Sequence, residues 1–249
     1  MGRWLDKDYW RKIGLLKENF AGEKIPSAAG LLFILFSVIS WSGYSLLFKT
    51  LAPQRLIFLI TIIGAISLLD DMIGTKENQG FSGHFRLLLK GRLTTGALKA
   101  IVSFLAVVMI IEGRNNRTEF FLDTGLILLM TNFINLLDLR PGRALKVFIL
   151  LAVLITITVP PTFFYIGPAL LLALPYLPYE LKQKVMLGDT GANFLGALLG
   201  YTMSRTLPAG DKLVIILVLF LLTILSERYS YSRIIEANPF LKWLDQLGR

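Results

Sequence analysis

"RLIFLITIIGAISLLDDMIG", residues 55–74, decides the fold class. From Leu56 to Leu69 only Thr61, Gly64 and Ser67 interrupt the apolar side chains, and two acids, Asp70 and Asp71, then close the run. An apolar stretch of roughly 17–25 residues is what a helix needs to cross a bilayer. The composition agrees: of 249 residues, 54% are hydrophobic and 17% charged, with a mean hydropathy of +0.62. A water-soluble domain of this length has too little interior for so much apolar surface, so lipid is the solvent for most of it.

Comparable runs fall at 28–48, 54–73, 94–111, 119–137, 144–160, 162–178, 190–206 and 211–226. Pro160-Pro161 separates the fifth from the sixth, since proline breaks a helix and favours a tight turn. The expected architecture is an all-α polytopic bundle of about eight transmembrane helices. Residues 1–25 place Leu5, Tyr9, Ile13, Leu16 and Phe20 at helical spacing among basic residues, the pattern of an interfacial amphipathic helix. Residues 26–226 form the transmembrane domain and 227–249 a cytoplasmic tail. In this topology nineteen of the 26 Lys and Arg lie on one side and six on the other, with Lys99 inside a span. The positive-inside rule makes the richer side cytoplasmic, with both termini there. The same rule accounts for the net charge of +9 without a nucleic-acid partner. With no cysteine and a single histidine, His84, there is neither a disulfide framework nor a thiolate or histidine-built zinc site.

The acids need a separate account. Asp70 and Asp71 end the second span and Asp138 the fourth, in "TNFINLLDLRPGR", where Asn132, Asn135 and Asp138 are spaced by three on one helix face. Asp189 opens the seventh, in "GDTGANFLGALLGY". A lone acid at a helix end reads first as a cap or an interfacial anchor, and Asp189 is expected to cap its own helix. Four acids at one depth on three helices repel one another. A divalent cation with oxygen ligands, Mg²⁺ or Mn²⁺, relieves that repulsion. Lys76, Lys90, Arg92, Arg140 and Arg143 in the adjoining loops are candidates to hold phosphate. Gly196 and Gly200 read as an internal helix-packing seam.

Four stretches in order, "GEKIPSAAGLL" from Gly22, "DDMIG", "NFINLLD" and "GDTGANFLG", resemble the polyprenyl-phosphate N-acetylhexosamine-1-phosphate transferases, integral membrane enzymes of cell-envelope synthesis. The resemblance implies transfer of a sugar 1-phosphate from a UDP-amino sugar to a polyprenyl (undecaprenyl) phosphate, with Mg²⁺ and release of UMP. It implies Asp189 as the metal ligand, Asp70 as the base with Asp71 as its support, and Asp138 as nucleophile in one version of the mechanism. Asn132, Asn135, Lys76, Arg140 and Arg143 are then candidates for substrate binding. It further implies a bacterial plasma membrane and an active site on its cytoplasmic side, with a homodimer left open. Two features depart from the pattern. Leu139 and Pro141 stand where the family usually has glycine and a second Asp, and residues 227–249 contain no histidine where a histidine-rich loop is usual. A non-catalytic relative that binds lipid phosphate or scaffolds envelope synthesis is the alternative. A transporter is the weaker third reading, because transport sites lie near the bilayer midplane.

Overall fold

The computed structural model describes residues 7–12, 14–19, 22–27, 29–49, 53–73, 94–111 and 116–248. Lys76, His84, Lys90 and Arg92 lie outside the described residues. The elements are α1 (Lys7–Lys12), β1 (Leu16–Glu18), β2 (Lys24–Pro26), α2 (Gly30–Phe48), α3 (Gln54–Ile73), α4 (Thr95–Ile111), α5 (Arg117–Leu137), α6 (Arg143–Thr158), α7 (Phe163–Leu181), α8 (Gly188–Thr206), α9 (Ala209–Arg228), α10 (Tyr231–Ala237) and α11 (Pro239–Gln246). A 3₁₀ turn at Pro160–Thr162 joins α6 to α7, where the paired prolines end the preceding helix.

Each of the eight apolar runs corresponds to a helix, α2 to α9. Among the described residues five are long and apolar enough to cross a membrane: α2, α3, α5, α7 with its 3₁₀ turn, and α9. The apolar α4 has 17 residues, at the lower limit for a span, and α6 has 16, just under it. The other exception is α8, which is not apolar enough. It does not meet lipid along most of its length: every residue from Thr190 to Ser204 is buried, with α2, α3, α5, α6 and α7 around it. Polar side chains are tolerated there because neighbours bond them; Asn193 Nδ2, for example, donates to Ser67 Oγ of α3 at 2.9 Å.

Close backbone approach builds this centre. A Cβ added at Gly196 would lie 2.6 Å from Thr131 Cα, and one at Gly200 2.7 Å from Ile127 Cα, both on α5. The glycine seam thus joins α8 to α5 within one chain. At Gly30 an added Cβ would lie 2.1 Å from Gly191 Cα, so the start of α2 touches the start of α8.

The N-terminal segment corrects the expectation of one interfacial helix over residues 1–25. The helix ends at Lys12, and Gly14 takes the left-handed conformation (φ 74°), which glycine adopts without steric penalty. The chain continues as an antiparallel hairpin with Leu16 opposite Pro26 and Glu18 opposite Lys24. This hairpin docks on the segment before α8: Met186 N–H donates to Pro26 C=O at 2.8 Å, and Asn19 Nδ2 donates to Gln183 Oε1 at 3.2 Å. It therefore covers the end of the bundle where the acids lie.

Candidate active site

The first amides of a helix have no partner within it and must find one elsewhere. At the start of α8 these are the N–H groups of Leu187, Gly188, Asp189 and Thr190, and carboxyl groups from three other helix ends face them; Asp71 accepts from the last two. Glu180 of α7 has the Leu187 and Gly142 amides near its carboxyl group. Asp138, one residue past the end of α5, has the Gly188 amide near its carboxyl group. Asp71 of α3 accepts from Asp189 at 3.3 Å and from Thr190 at 2.9 Å. Gly188 has φ 70°, a conformation open to glycine, at the turn from which these amides fan out. Anions at a helix N-terminus also gain from its dipole.

Asp71 has both oxygens engaged. Oδ2 also accepts from Thr190 Oγ1 at 2.7 Å, Oδ1 accepts from Lys17 Nζ of β1 at 3.0 Å, and the side chain is only 3% exposed. The cap expected from Asp189 is thus supplied by Asp71 from another helix, and α8 has no cap from a neighbouring side chain of its own. This frees the Asp189 carboxylate, which turns toward α4. There Lys99 Nζ donates to Asp189 Oδ2 and, at 2.9 Å, to Asp70 Oδ2. Thr95, one turn earlier on α4, also bonds Asp70. Asp189 is the most open of this set, 37% exposed against 16% for Asp70 and 18% for Lys99.

Asp138, partly buried, lies at the same end. Burial pushes its carboxyl well above the ordinary carboxylate range; the charges of Glu180, Asp189 and Asp71 push the same way, and the Gly188 amide opposes them. Glu180 is 2% exposed, and its Oε2 has no hydrogen-bond partner among the described residues. The same holds for the hydroxyl of Tyr176, one turn earlier on α7, and for Asn135 Oδ1, one turn before Asp138.

The structure therefore brings together Asp70, Asp71, Asp138 and Asp189 as the sequence suggests, and adds Lys99, Glu180 and Lys17. Other candidates go elsewhere. Asn132 Nδ2 donates to Thr223 Oγ1 of α9 at 3.3 Å, so it serves helix packing instead of the acid cluster. Arg143 is held by Asp245 near the C-terminus, through Nε at 2.8 Å and Nη2 at 3.1 Å, and Arg140 pairs with Glu236 at 3.3 Å. Both guanidinium groups expected to meet phosphate are bonded to the tail. Lys99 was legible as a cation inside an apolar run, a feature that marks a functional candidate by default.

Among the described residues no three acidic or histidine side chains converge closely enough to hold a metal by themselves. Mg²⁺ is commonly held by one or two carboxylates together with substrate phosphates and water. Asp70 and Asp189 share the Lys99 ammonium and fit that smaller donor set.

No family model matches the chain. A phospho-N-acetylmuramoyl-pentapeptide-transferase of Petrotoga mobilis is 28% identical to it over an alignment 264 positions long, gaps included. That alignment covers 96% of this chain and 77% of the relative. The likeness extends well beyond the four short motifs and supports the resemblance they carry. The chain is a helical membrane protein similar over nearly its whole length to that transferase.

Proposed function

We propose that the protein transfers a HexNAc 1-phosphate from a UDP-sugar to a polyprenyl phosphate, with release of UMP, on the cytoplasmic face of a bacterial plasma membrane. An oxygen of the lipid phosphate bonds to the phosphorus that carries the sugar, and the bond from that phosphorus to the UMP oxygen breaks. Both reactants are anions, so the barrier lies largely in bringing negative groups together and in the charge left on UMP. The observation that carries this reading is the Lys99 bridge between Asp70 and Asp189. Three helices contribute a cation and two carboxylates at one end of an apolar bundle, where a lipid phosphate and a water-borne nucleotide can meet.

In this proposal Asp189 and Asp70 would hold Mg²⁺, with Mn²⁺ as an alternative, and the ion would neutralise phosphate charge when bound. Lys99 orients the two carboxylates and offers N–H donors to phosphate oxygens. Asp71 positions α8, and through it Asp189, without touching substrate. Asp138, set beside the Gly188 amide and the Glu180 carboxyl group, takes a holding role in this reading, with direct attack by the lipid phosphate. The test incubates purified protein with UDP-HexNAc donors, undecaprenyl phosphate and Mg²⁺ and follows UMP. Turnover that Asp189→Ala abolishes is expected, and release unchanged in that variant rejects the site.

One observation favours a second reading, a non-catalytic relative that binds lipid phosphate or scaffolds envelope synthesis. Arg140 and Arg143, the basic groups beside the acids, are occupied by the tail. A donor survey without turnover, together with measurable lipid-phosphate binding, would select it.

A further inference from the structure

The chain after α9 does not leave the bundle. Although α11 is only eight residues long, it is well terminated at both ends. Asn238 Oδ1 accepts from Phe240 N–H at 3.0 Å and Leu241 N–H at 3.1 Å, and Pro239 fits the first helical position. At the other end Lys146 Nζ donates to the Leu244 and Asp245 carbonyls at 3.1 and 2.7 Å, a cation serving the free carbonyls of a helix C-terminus. The bidentate Asp245–Arg143 pair completes the attachment, with Arg143 5% and Asp245 11% exposed. Arg143 is the first residue of α6 and Lys146 lies one turn further along. These bonds fix α11 at the level where α6 enters the bundle.

The helix is amphipathic. Phe240, Trp243, Leu244 and Leu247 recur at intervals of three, four and seven and share one face, while Lys242 and Gln246 lie opposite. That apolar face is uncovered: Phe240 is 65%, Trp243 58% and Leu247 53% exposed. Two and three turns down α6 from Arg143, Leu150 and Leu154 are exposed, and Phe220, Leu221 and Ile224 of α9 are exposed as well, the surfaces of a bundle that faces lipid. Tryptophan favours the boundary between headgroups and acyl chains.

We propose that α11 lies in the plane of the membrane surface at the acid-bearing end, its Phe240–Trp243–Leu244–Leu247 face in the lipid and its Asp245 side latched to α6. The occupant is the bilayer because the latch holds the helix at the mouth of α6, a helix whose exposed apolar side chains lipid covers, and leaves the apolar face, with its tryptophan, unpartnered there. The tail is therefore a peripheral membrane anchor as well as a cytoplasmic extension.

The absence of native cysteine permits a direct test on the full chain. Trp243→Cys and Lys242→Cys are each given a nitroxide label and reconstituted in phosphatidylcholine–phosphatidylglycerol nanodiscs. Power saturation then compares access by oxygen, which concentrates in lipid, with access by a water-soluble nickel chelate. At position 243 oxygen access should exceed nickel access several-fold, at a depth of about 5–10 Å below the headgroup boundary, and at 242 the order should invert. Nickel access at 243 equal to that at 242 overturns the proposal by placing the face in water. Low access to both reagents at 243 also overturns it, by showing that a second copy or another protein covers the face. Phe240→Cys provides the same reading from one turn away should labelling at 243 disturb the helix.

Discussion

Replacing Asp71 by alanine removes one side chain and leaves several groups without partners. Asp189 N–H and Thr190 N–H lose their acceptor, Thr190 Oγ1 must find another, and Lys17 loses its anion. A buried donor left unsatisfied costs about 1–3 kcal/mol, and bonds to a charged acceptor are worth about 1.5–3 kcal/mol each. Allowing for water reaching the half-open Lys17, the loss is about 3–5 kcal/mol. At about 2–4 °C per kcal/mol for a chain of this size, melting should fall by roughly 6–20 °C. Asp71→Asn keeps one acceptor oxygen and should fall between alanine and wild type. The assay is thermal unfolding followed by far-UV circular dichroism in detergent, with Asp189→Asn beside it. Asp189 makes no bond to an α8 amide, so that variant should melt close to wild type while losing any turnover. An Asp71→Ala protein that melts within about 2 °C of wild type would refute the claim that this carboxylate organises the start of α8.

Lys99→Met leaves Asp70 and Asp189 facing each other without their shared cation and should destabilise by about 2–3 kcal/mol, discounted for partial exposure. Adding Asp189→Asn to Lys99→Met should recover part of that loss, measured as a coupling in a double-mutant cycle of melting curves. Asp138→Asn should raise the melting temperature, because the side chain keeps its size and an acceptor oxygen while the disfavoured charge is gone. The sign follows from a folded pKa above the unfolded one: for this carboxyl, wild-type stability falls as pH rises out of the ordinary carboxylate range toward the folded value. The gap between variant and wild type should therefore widen over that interval in melts at successive pH, and a gap independent of pH contradicts it. Gly196→Ala forces a Cβ against Thr131 Cα and should destabilise by about 1–3 kcal/mol in the same melts, whereas Gly43→Ala, which meets nothing within 4 Å, should not.

The apolar runs were readable because burial in lipid demands length and composition and little else. Leu56 to Leu69 reads as a helix on that ground alone. The co-location of Asp70, Asp138 and Asp189 followed from topology, since alternating spans return their ends to one side. What each side chain does there was not readable. Spacing by three puts Asn132 on a face, but which neighbour that face meets depends on where α9 packs, and it meets Thr223. The partner of Arg143 is 102 residues away, a pairing that no local pattern signals. Glu180 stands in "PYLPYEL", outside any motif, and becomes visible only as a carboxylate against the Leu187 amide. The N-terminal helical spacing suggested one interfacial helix, but the left-handed turn at Gly14 and pairing with Lys24–Pro26 were stronger.

A helix walled in from Thr190 to Ser204 but poor in apolar side chains has a consequence for biogenesis. Presented by itself to the translocon, α8 would partition weakly into the bilayer, since its Thr, Asn, Ser and backbone polar groups would meet hydrocarbon instead of partners. The chain order resolves this difficulty: α2, α3, α5, α6 and α7 are synthesised before α8 and can receive it as it emerges. Glycosylation-site mapping of nascent truncations should find α8 retained in the membrane when the preceding helices are present and lost when it is appended alone to a carrier protein.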